Sequence, residues 1–195
     1  MMIVPPPGAA MADKIRLPVR TTRLLLRRLI PVDQNDLLEL MTDDPAFRYI
    51  DWKPLNETEI MEWFRRDQHA RLTQRGEALT LAADLPSDNK TIGFVSIRLA
   101  DEDAQQAGFS LMINHRYRQK GFGLEVVRGT LELIFSNLNL HRVAVTCDTR
   151  NIAASRLLER IGMRQEGKFI EDQFLRNEWT STFYFALLRK EFLGR

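Results

Sequence analysis

Tyr117-Arg118-Gln119-Lys120-Gly121-Phe122-Gly123-Leu124-Glu125 lies between an apolar run, Phe109 to Asn114, patterned as a strand, and an amphipathic run, Leu124 to Leu138, spaced as a helix. Two glycines two positions apart at a strand-to-helix turn have a physical use. Without Cβ atoms the backbone can turn tightly, and its N–H groups can converge where the helix dipole favours negative charge. The stretch therefore reads as a cradle for a diphosphate, although a helix that merely begins with glycines has the same pattern. Its spacing excludes two commoner cradles. A P-loop ends in Gly-Lys-Ser/Thr, and a dinucleotide fold needs a third glycine where Val126 stands.

Downstream, Val127, Leu131, Ile134 and Leu138 share a helical face, and Val143 to Cys147 reads as a short buried strand. Asn151 caps a helix with Ala154, Leu157, Leu158 and Ile161 on one side and Gly162 as its stop. Met163 to Phe174 and Trp179 to Leu188 form a closing hairpin.

Upstream, Thr22 to Leu29 is a first strand, and Pro31 with Asp33 opens a helix bearing Leu37, Leu38 and Met41, ended by Asp43-Asp44-Pro45. Asn56 and Glu59 make a capping box for a helix carrying Ile60, Trp63 and Phe64 and running to about Leu72. Leu79 to Ala83 and Ile92 to Leu99 are strands joined by the turn Pro86-Ser87-Asp88-Asn89. The order β, α, α, β, β, β, α, β, α, β, β specifies one mixed α/β domain over residues 17–195, preceded by a flexible leader over 1–16 in which Met11 is an alternative start.

Bulk properties narrow the classes. The 195 residues suit one domain with a sizeable core, and 44% hydrophobic with 28% charged residues is ordinary for a globular protein. A net charge of +2 with dispersed basic residues gives no warrant for nucleic-acid binding. No apolar run approaches the roughly 18 residues of a membrane span. The single cysteine, Cys147, allows no internal disulfide and suits a reducing compartment, so a cytoplasmic protein is expected. His69, His115 and His141 lack metal-ligand spacing, so no metal is expected. Trp63, Phe64, Trp52 and Trp179 read as core.

With this element order, three motifs resemble the GNAT superfamily of acetyl-CoA-dependent N-acetyltransferases. Arg118 to Gly123 matches the family's [Gln/Arg]-x-x-Gly-x-[Gly/Ala]. Asn151 to Ser155, followed by Leu157-Leu158-Glu159-Arg160-Ile161-Gly162-Met163, looks like its Asn-x-x-Ser…(Leu/Ala)-Glu-(Lys/Arg)-x-Gly-Phe. Thr22 to Arg27 is similar to the opening strand of the branch containing the ribosomal-protein alanine N-acetyltransferases. The resemblance implies a mostly antiparallel sheet of about seven strands with about four helices and a splayed strand pair around the cofactor.

It also implies acetyl-CoA as co-substrate, with its diphosphate on Arg118, Gln119, Lys120, Gly121, Phe122, Gly123 and Leu124. Its pantetheine arm would run along the exposed edge of Leu111, Met112 and Ile113, and Asn151 and Ser155 would face it. A backbone N–H at the splay would polarise the thioester carbonyl. Ser155 is the candidate hydrogen-bond donor to the departing thiolate. Two positions depart from the family: Gln106 stands where relatives carry a glutamate base, and Leu158 where many carry a tyrosine acid. Glu125 is a second catalytic candidate, weighed against a carboxylate that merely stabilises a helix N-terminus. Glu171 is a weaker candidate base. Asp101, Glu102 and Asp103 read as a solvated loop.

The acceptor implied by the branch is a protein N-terminal α-amine. A small-molecule amine (polyamine, antibiotic or amino acid) is the alternative acceptor, and a non-catalytic CoA-binding sensor the alternative class. A free α-amine titrates at about 8, so positioning does much of the work, whereas a lysine-type amine at about 10.4 needs a real base. The expected assembly is a monomer or a homodimer.

Overall fold

The computed structural model describes residues 15–41, 47–51, 55–72, 75–101 and 105–194. Its strands are β1 (Val19–Arg20), β2 (Leu25–Arg28), β3 (Ala78–Leu85), β4 (Lys90–Asp101), β5 (Gln106–Ile113), β6 (Arg142–Asp148), β7 (Arg164–Leu175) and β8 (Glu178–Leu188). The α-helices are α1 (Gln34–Met41), α2 (Glu57–Gln68), α3 (Phe122–Glu132), α4 (Ile152–Arg160) and α5 (Arg189–Leu193). One open sheet runs in the order β1-β2-β3-β4-β5-β6-β8-β7. Every neighbouring pair is antiparallel except β5 and β6.

Strand alternation divides the core between the two sheet faces. Along β5, Phe109, Leu111 and Ile113 join the large cluster under α3 and α4, with Val126, Val127, Leu131 and Leu158. Met112 points the other way and joins Leu37, Met41, Ile60, Phe64 and Phe94 beneath α1 and α2. The sheet thus separates the two helix pairs.

The mixed, mostly antiparallel sheet is present, with eight strands and five α-helices among the described residues where about seven and about four are expected. The added strand, β1, is two residues paired to Leu25 and Leu26, and the added helix, α5, follows β8 at the chain's end. Strand β2 is shorter than the run Thr22 to Leu29, and a 3-10 turn, Pro31–Asp33, precedes α1. Helix α2 stops at Gln68, short of Leu72. Helix α3 begins at Phe122, two residues before Leu124, and passes into a π-helical turn at Leu133–Asn137. Strand β6 is only half-buried, with Thr146 exposed.

The capping box of α2 forms as read: Asn56 Oδ1 accepts from the Glu59 amide at 3.0 Å, and Glu59 Oε2 from the Asn56 amide at 2.8 Å. Trp179 departs from its reading as core. It is 62% exposed, because the β7–β8 hairpin end carries it away from the sheet, where it packs edge-on to Phe174 with centroids 5.3 Å apart. Residues 1–14 of the expected leader, Asp43-Asp44-Pro45, Trp52, Glu102 and Asp103 lie outside the described residues. Ile15 packs against the large core.

Candidate active site

Strands β5 and β6 pair at only two positions, Gln106 with Arg142 and Ala107 with Val143. Gly108 marks the last close approach: a Cβ there would stand 2.9 Å from the Ala144 carbonyl oxygen. Beyond it the strands diverge, so the β6-facing edge of β5 from Ser110 through Ile113 has no strand partner. Unpaired backbone donors and acceptors on such an edge can bind an extended amide-bearing ligand.

The edge leads straight into the glycine loop. Buried Asn114 ends the strand; its Oδ1 accepts from the Arg116 amide at 3.0 Å, and its Nδ2 donates to Glu39 Oε1 at 3.0 Å. Lys90 Nζ bonds Glu39 at 2.8 Å and Asp36 at 2.9 Å, tying α1 to the same corner. Lys90 holds the Glu39 carboxyl below its ordinary pKa. Arg118 Nε donates to the Ile113 carbonyl at 2.9 Å, and Tyr117 Oη donates to Asp88 Oδ2 at 3.0 Å.

Gly121 then takes φ +84° as the N-cap of α3. This is the left-handed region that glycine enters without penalty. The helix starts with no side-chain cap, unlike α2 and α4 with their asparagines. The N–H groups of Phe122, Gly123 and Leu124 thus have no intrahelical acceptor, at the positive end of the helix dipole. A Cβ on Gly121 would lie 3.5 Å from Arg23 Nη2, so a guanidinium borders the same spot.

Glu125, in the first turn of α3, is held from outside. Its Oε1 accepts from Thr21 Oγ1 at 2.6 Å and from the Arg23 amide at 2.5 Å, and its Oε2 accepts from Arg23 Nε at 2.8 Å. Burial opposes ionisation, but the hydrogen bonds from Thr21 and Arg23 outweigh it and lower the carboxyl's pKa. Arg23 also donates to the Lys120 carbonyl at 3.1 Å and lies 4.0 Å above the Phe122 ring. Nothing in the sequence pairs Thr21 and Arg23 with a glutamate about a hundred positions on.

On the other side of the seam, Asn151 Oδ1 caps α4 at the Ala154 amide, 3.1 Å away. Ser155 is buried, with Oγ 3.6 Å from Cys147 Sγ on β6 and 3.4 Å from the Asn151 carbonyl. Counted from Asn151, the serine of Asn-x-x-Ser would fall at Ala154, and Ser155 stands one residue on. Burial raises the Cys147 thiol above its ordinary pKa, with Ser155 opposing. Leu158 is buried in the core. Gln106 sits at the closed vertex, about 17 Å of strand from Leu111 at roughly 3.3 Å per residue. Glu171 is exposed on β7 at φ +48°, its amide bonded to Ser181 Oγ.

The structure thus brings Leu111 to Ile113, the 118–124 loop, Asn151 and Ser155 around one seam. Glu125 lies at its border and faces Thr21 and Arg23, while Gln106 and Glu171 lie apart. Among the described residues no three His, Cys, Asp or Glu side chains are grouped to hold a metal, and no helix is long and apolar enough to cross a membrane.

Residues 23–164 match the model of the acetyltransferase (GNAT) domain. The chain is 28% identical to the uncharacterized N-acetyltransferase YnaD of Bacillus subtilis, over 89% of this chain and 98% of that one. It is also 28% identical to the Bacillus subtilis protein named "Putative ribosomal N-acetyltransferase YdaF", over 88% and 94% of the two chains. Its fold superposes on the spermidine N-acetyltransferase from Vibrio cholerae in complex with CoA and spermine, with TM-score 0.78 at 21% identity, covering 88% and 99% of the chains.

Proposed function

The chain belongs to the GNAT acetyltransferases, and from that premise we propose that it moves the acetyl group of acetyl-CoA to a protein N-terminal α-amine. One observation carries the reading. The β5 edge is open from Ser110 to Ile113 and ends at an uncapped helix N-terminus bordered by a guanidinium.

The residues present fit the co-substrate. The amides of Phe122, Gly123 and Leu124 hold the diphosphate, Gly121 leaves the approach open, and Arg118, Gln119 and Lys120 frame the loop. Leu111 and the Ile113 amide, on the side of β5 away from β4, offer backbone groups to the pantetheine amides, while Met112 turns its backbone to β4 and Arg118 engages the Ile113 carbonyl. Acetyl-CoA supplies an activated acyl carbon on a thiol leaving group. Ser155 donates its hydroxyl proton as a hydrogen bond toward the departing sulfur, a role its long 3.4 Å contact to the Asn151 carbonyl leaves free. Asn151 keeps Ser155 in place by capping α4. Glu125 braces the loop.

The α-amine is favoured over more basic acceptors because an amine titrating at about 8 needs the least help from a base, and neither Gln106 nor Glu171 stands at the open part of β5. The full-length similarity to a protein named as a ribosomal N-acetyltransferase supports the same branch.

Thermal unfolding with and without acetyl-CoA, on wild type and Gly121→Glu, tests the cradle. Ligand at about 100 times its Kd adds roughly 2.7 kcal/mol of stability, which the wild type gains and the variant loses. Mass spectrometry of peptides with free N-termini then tests transfer. Binding without transfer to any amine would leave a CoA sensor, and no shift in either protein would remove the cradle.

A further inference from the structure

On the α1–α2 face a cavity of about 190 Å³ opens against the middle of the sheet, lined by Ile50, Asp51, Phe94, Ser110, Leu111 and Met112. Leu111 and Met112 also form the unpaired β5 edge, so the cavity reaches the seam from the face opposite α3 and α4. Among its described lining residues only Ser110 and Asp51 have polar side chains. Asp51 is exposed, and among the described residues no hydrogen bond or ion pair engages it. A carboxylate with no cationic partner among the described residues, beside apolar cavity walls, attracts a cation. The volume equals about six water molecules, room for an amine and a small side chain.

Resting on the transferase reading, we propose that Asp51 is a specificity-determining residue that recruits the acceptor by pairing with the ammonium of a singly charged primary amine, a chain N-terminus with a small first side chain. Pairing raises the proton affinity of the amine, so Asp51 serves binding and not deprotonation. The proton leaves to bulk water at the exposed mouth. The freed nitrogen forms its bond to the acetyl carbon as the carbon–sulfur bond breaks, the sulfur departs with the electron pair, and the proton shed by the nitrogen balances the thiolate. Among the described lining residues Asp51 is the one carboxylate, so they offer no second partner to a polyamine.

The test measures by calorimetry the Kd of an alanine-initiated, C-terminally amidated peptide without other charges, on the intact protein saturated with CoA, which cannot react. Asp51→Asn weakens peptide binding about fivefold, and Asp51→Glu stays within about twofold of wild type. Raising salt from roughly 0.05 to 0.5 M weakens the wild type and leaves Asp51→Asn unchanged, a dependence that a merely structural role would not show. Spermidine binds no more tightly than the peptide. An unchanged Kd in Asp51→Asn, with the peptide still acetylated by wild type, overturns the assignment alone, as does spermidine binding tighter by about tenfold or more. If wild type binds acetyl-CoA but acetylates neither probe, the transferase reading falls and takes this assignment with it.

Discussion

Arg23 and Glu125, 102 positions apart, meet through two contacts of 2.8 Å, with Nε and Nη2 of the guanidinium both on Oε2. The pair joins the β1–β2 edge of the sheet to the first turn of α3. Through the Lys120 carbonyl and the Phe122 ring, Arg23 passes that constraint to the glycine loop.

Glu125→Ala should therefore act through the loop and not through proton transfer. Removing the carboxylate takes the acceptor from the Arg23 amide and guanidinium and leaves the Thr21 hydroxyl only the Leu24 carbonyl at 3.0 Å, at a cost of about 1–2 kcal/mol in denaturant unfolding. The affinity for acetyl-CoA should fall about tenfold, equivalent to roughly 1.4 kcal/mol. Arg23→Ala should do the same, and the double variant should cost less than the sum, since the two act as a unit. A variant that kept its stability and its acetyl-CoA affinity yet lost kcat about a hundredfold would instead place Glu125 in the chemistry.

Gly108→Val tests the vertex of the seam. Any Cβ at this position meets the Ala144 carbonyl at 2.9 Å, and a backbone atom cannot swing aside. The strands must separate one step earlier or the Gln106–Arg142 pairing must shift. A loss of about 2 kcal/mol in denaturant unfolding is expected, with Gly108→Ala intermediate. A neutral result would show that the divergence of β5 and β6 does not depend on this contact.

What the sequence disclosed was local. The Asn56–Glu59 box, the glycine start of α3, the Asn151 cap and the closing hairpin each rest on residues within a few positions of one another, and each formed. Non-local features were hidden. Strand β1 is two residues long and exists only through Leu25 and Leu26. The partners of Glu125 come from the other end of the domain. Trp179 looks like core by its chemistry, and only the reach of the hairpin past the sheet exposes it. Gln106 lies at the closed vertex opposite Arg142, so a carboxylate at this position would stand away from the open part of the seam. Asp51 and Ser110 carry no motif, and folding alone brings them together.

Asp67 gives stability a pH dependence. It is 5% exposed at the end of α2, and its Oδ1 accepts from the Thr80 amide at 2.7 Å. Burial raises its pKa to about 6, against the hydrogen bonds of Thr80. The folded state therefore holds a proton that the unfolded chain releases near its ordinary value of 3.8. Stability from this group is complete below that value and declines as pH rises through about 6, by roughly 2–3 kcal/mol at about 1.36 kcal/mol per unit. Asp67→Asn keeps an acceptor for Thr80 and cannot ionise. Unfolding free energies at several pH values between 4 and 7.5 should show the wild type losing ground to the variant across this window. Parallel curves would show that Asp67 does not titrate there.

Ser155→Ala separates a chemical role from a structural one. The hydroxyl is buried beside Cys147, and its one backbone acceptor, at 3.4 Å, is long for an O–H···O bond. Losing so weak a bond should change stability by less than about 1 kcal/mol. A hydrogen bond to the departing sulfur matters only as charge develops there, so its loss should appear in kcat and not in acetyl-CoA binding. The expected pattern is a kcat about tenfold lower with the Kd for acetyl-CoA within about twofold of wild type. Asn151→Ala should show the reverse balance. It removes the cap from α4, lowers stability by about 1 kcal/mol, and reduces kcat only as far as Ser155 is displaced. If Ser155→Ala leaves kcat unchanged, the sulfur departs without help from this helix, and Ser155 is a packing residue between α4 and β6.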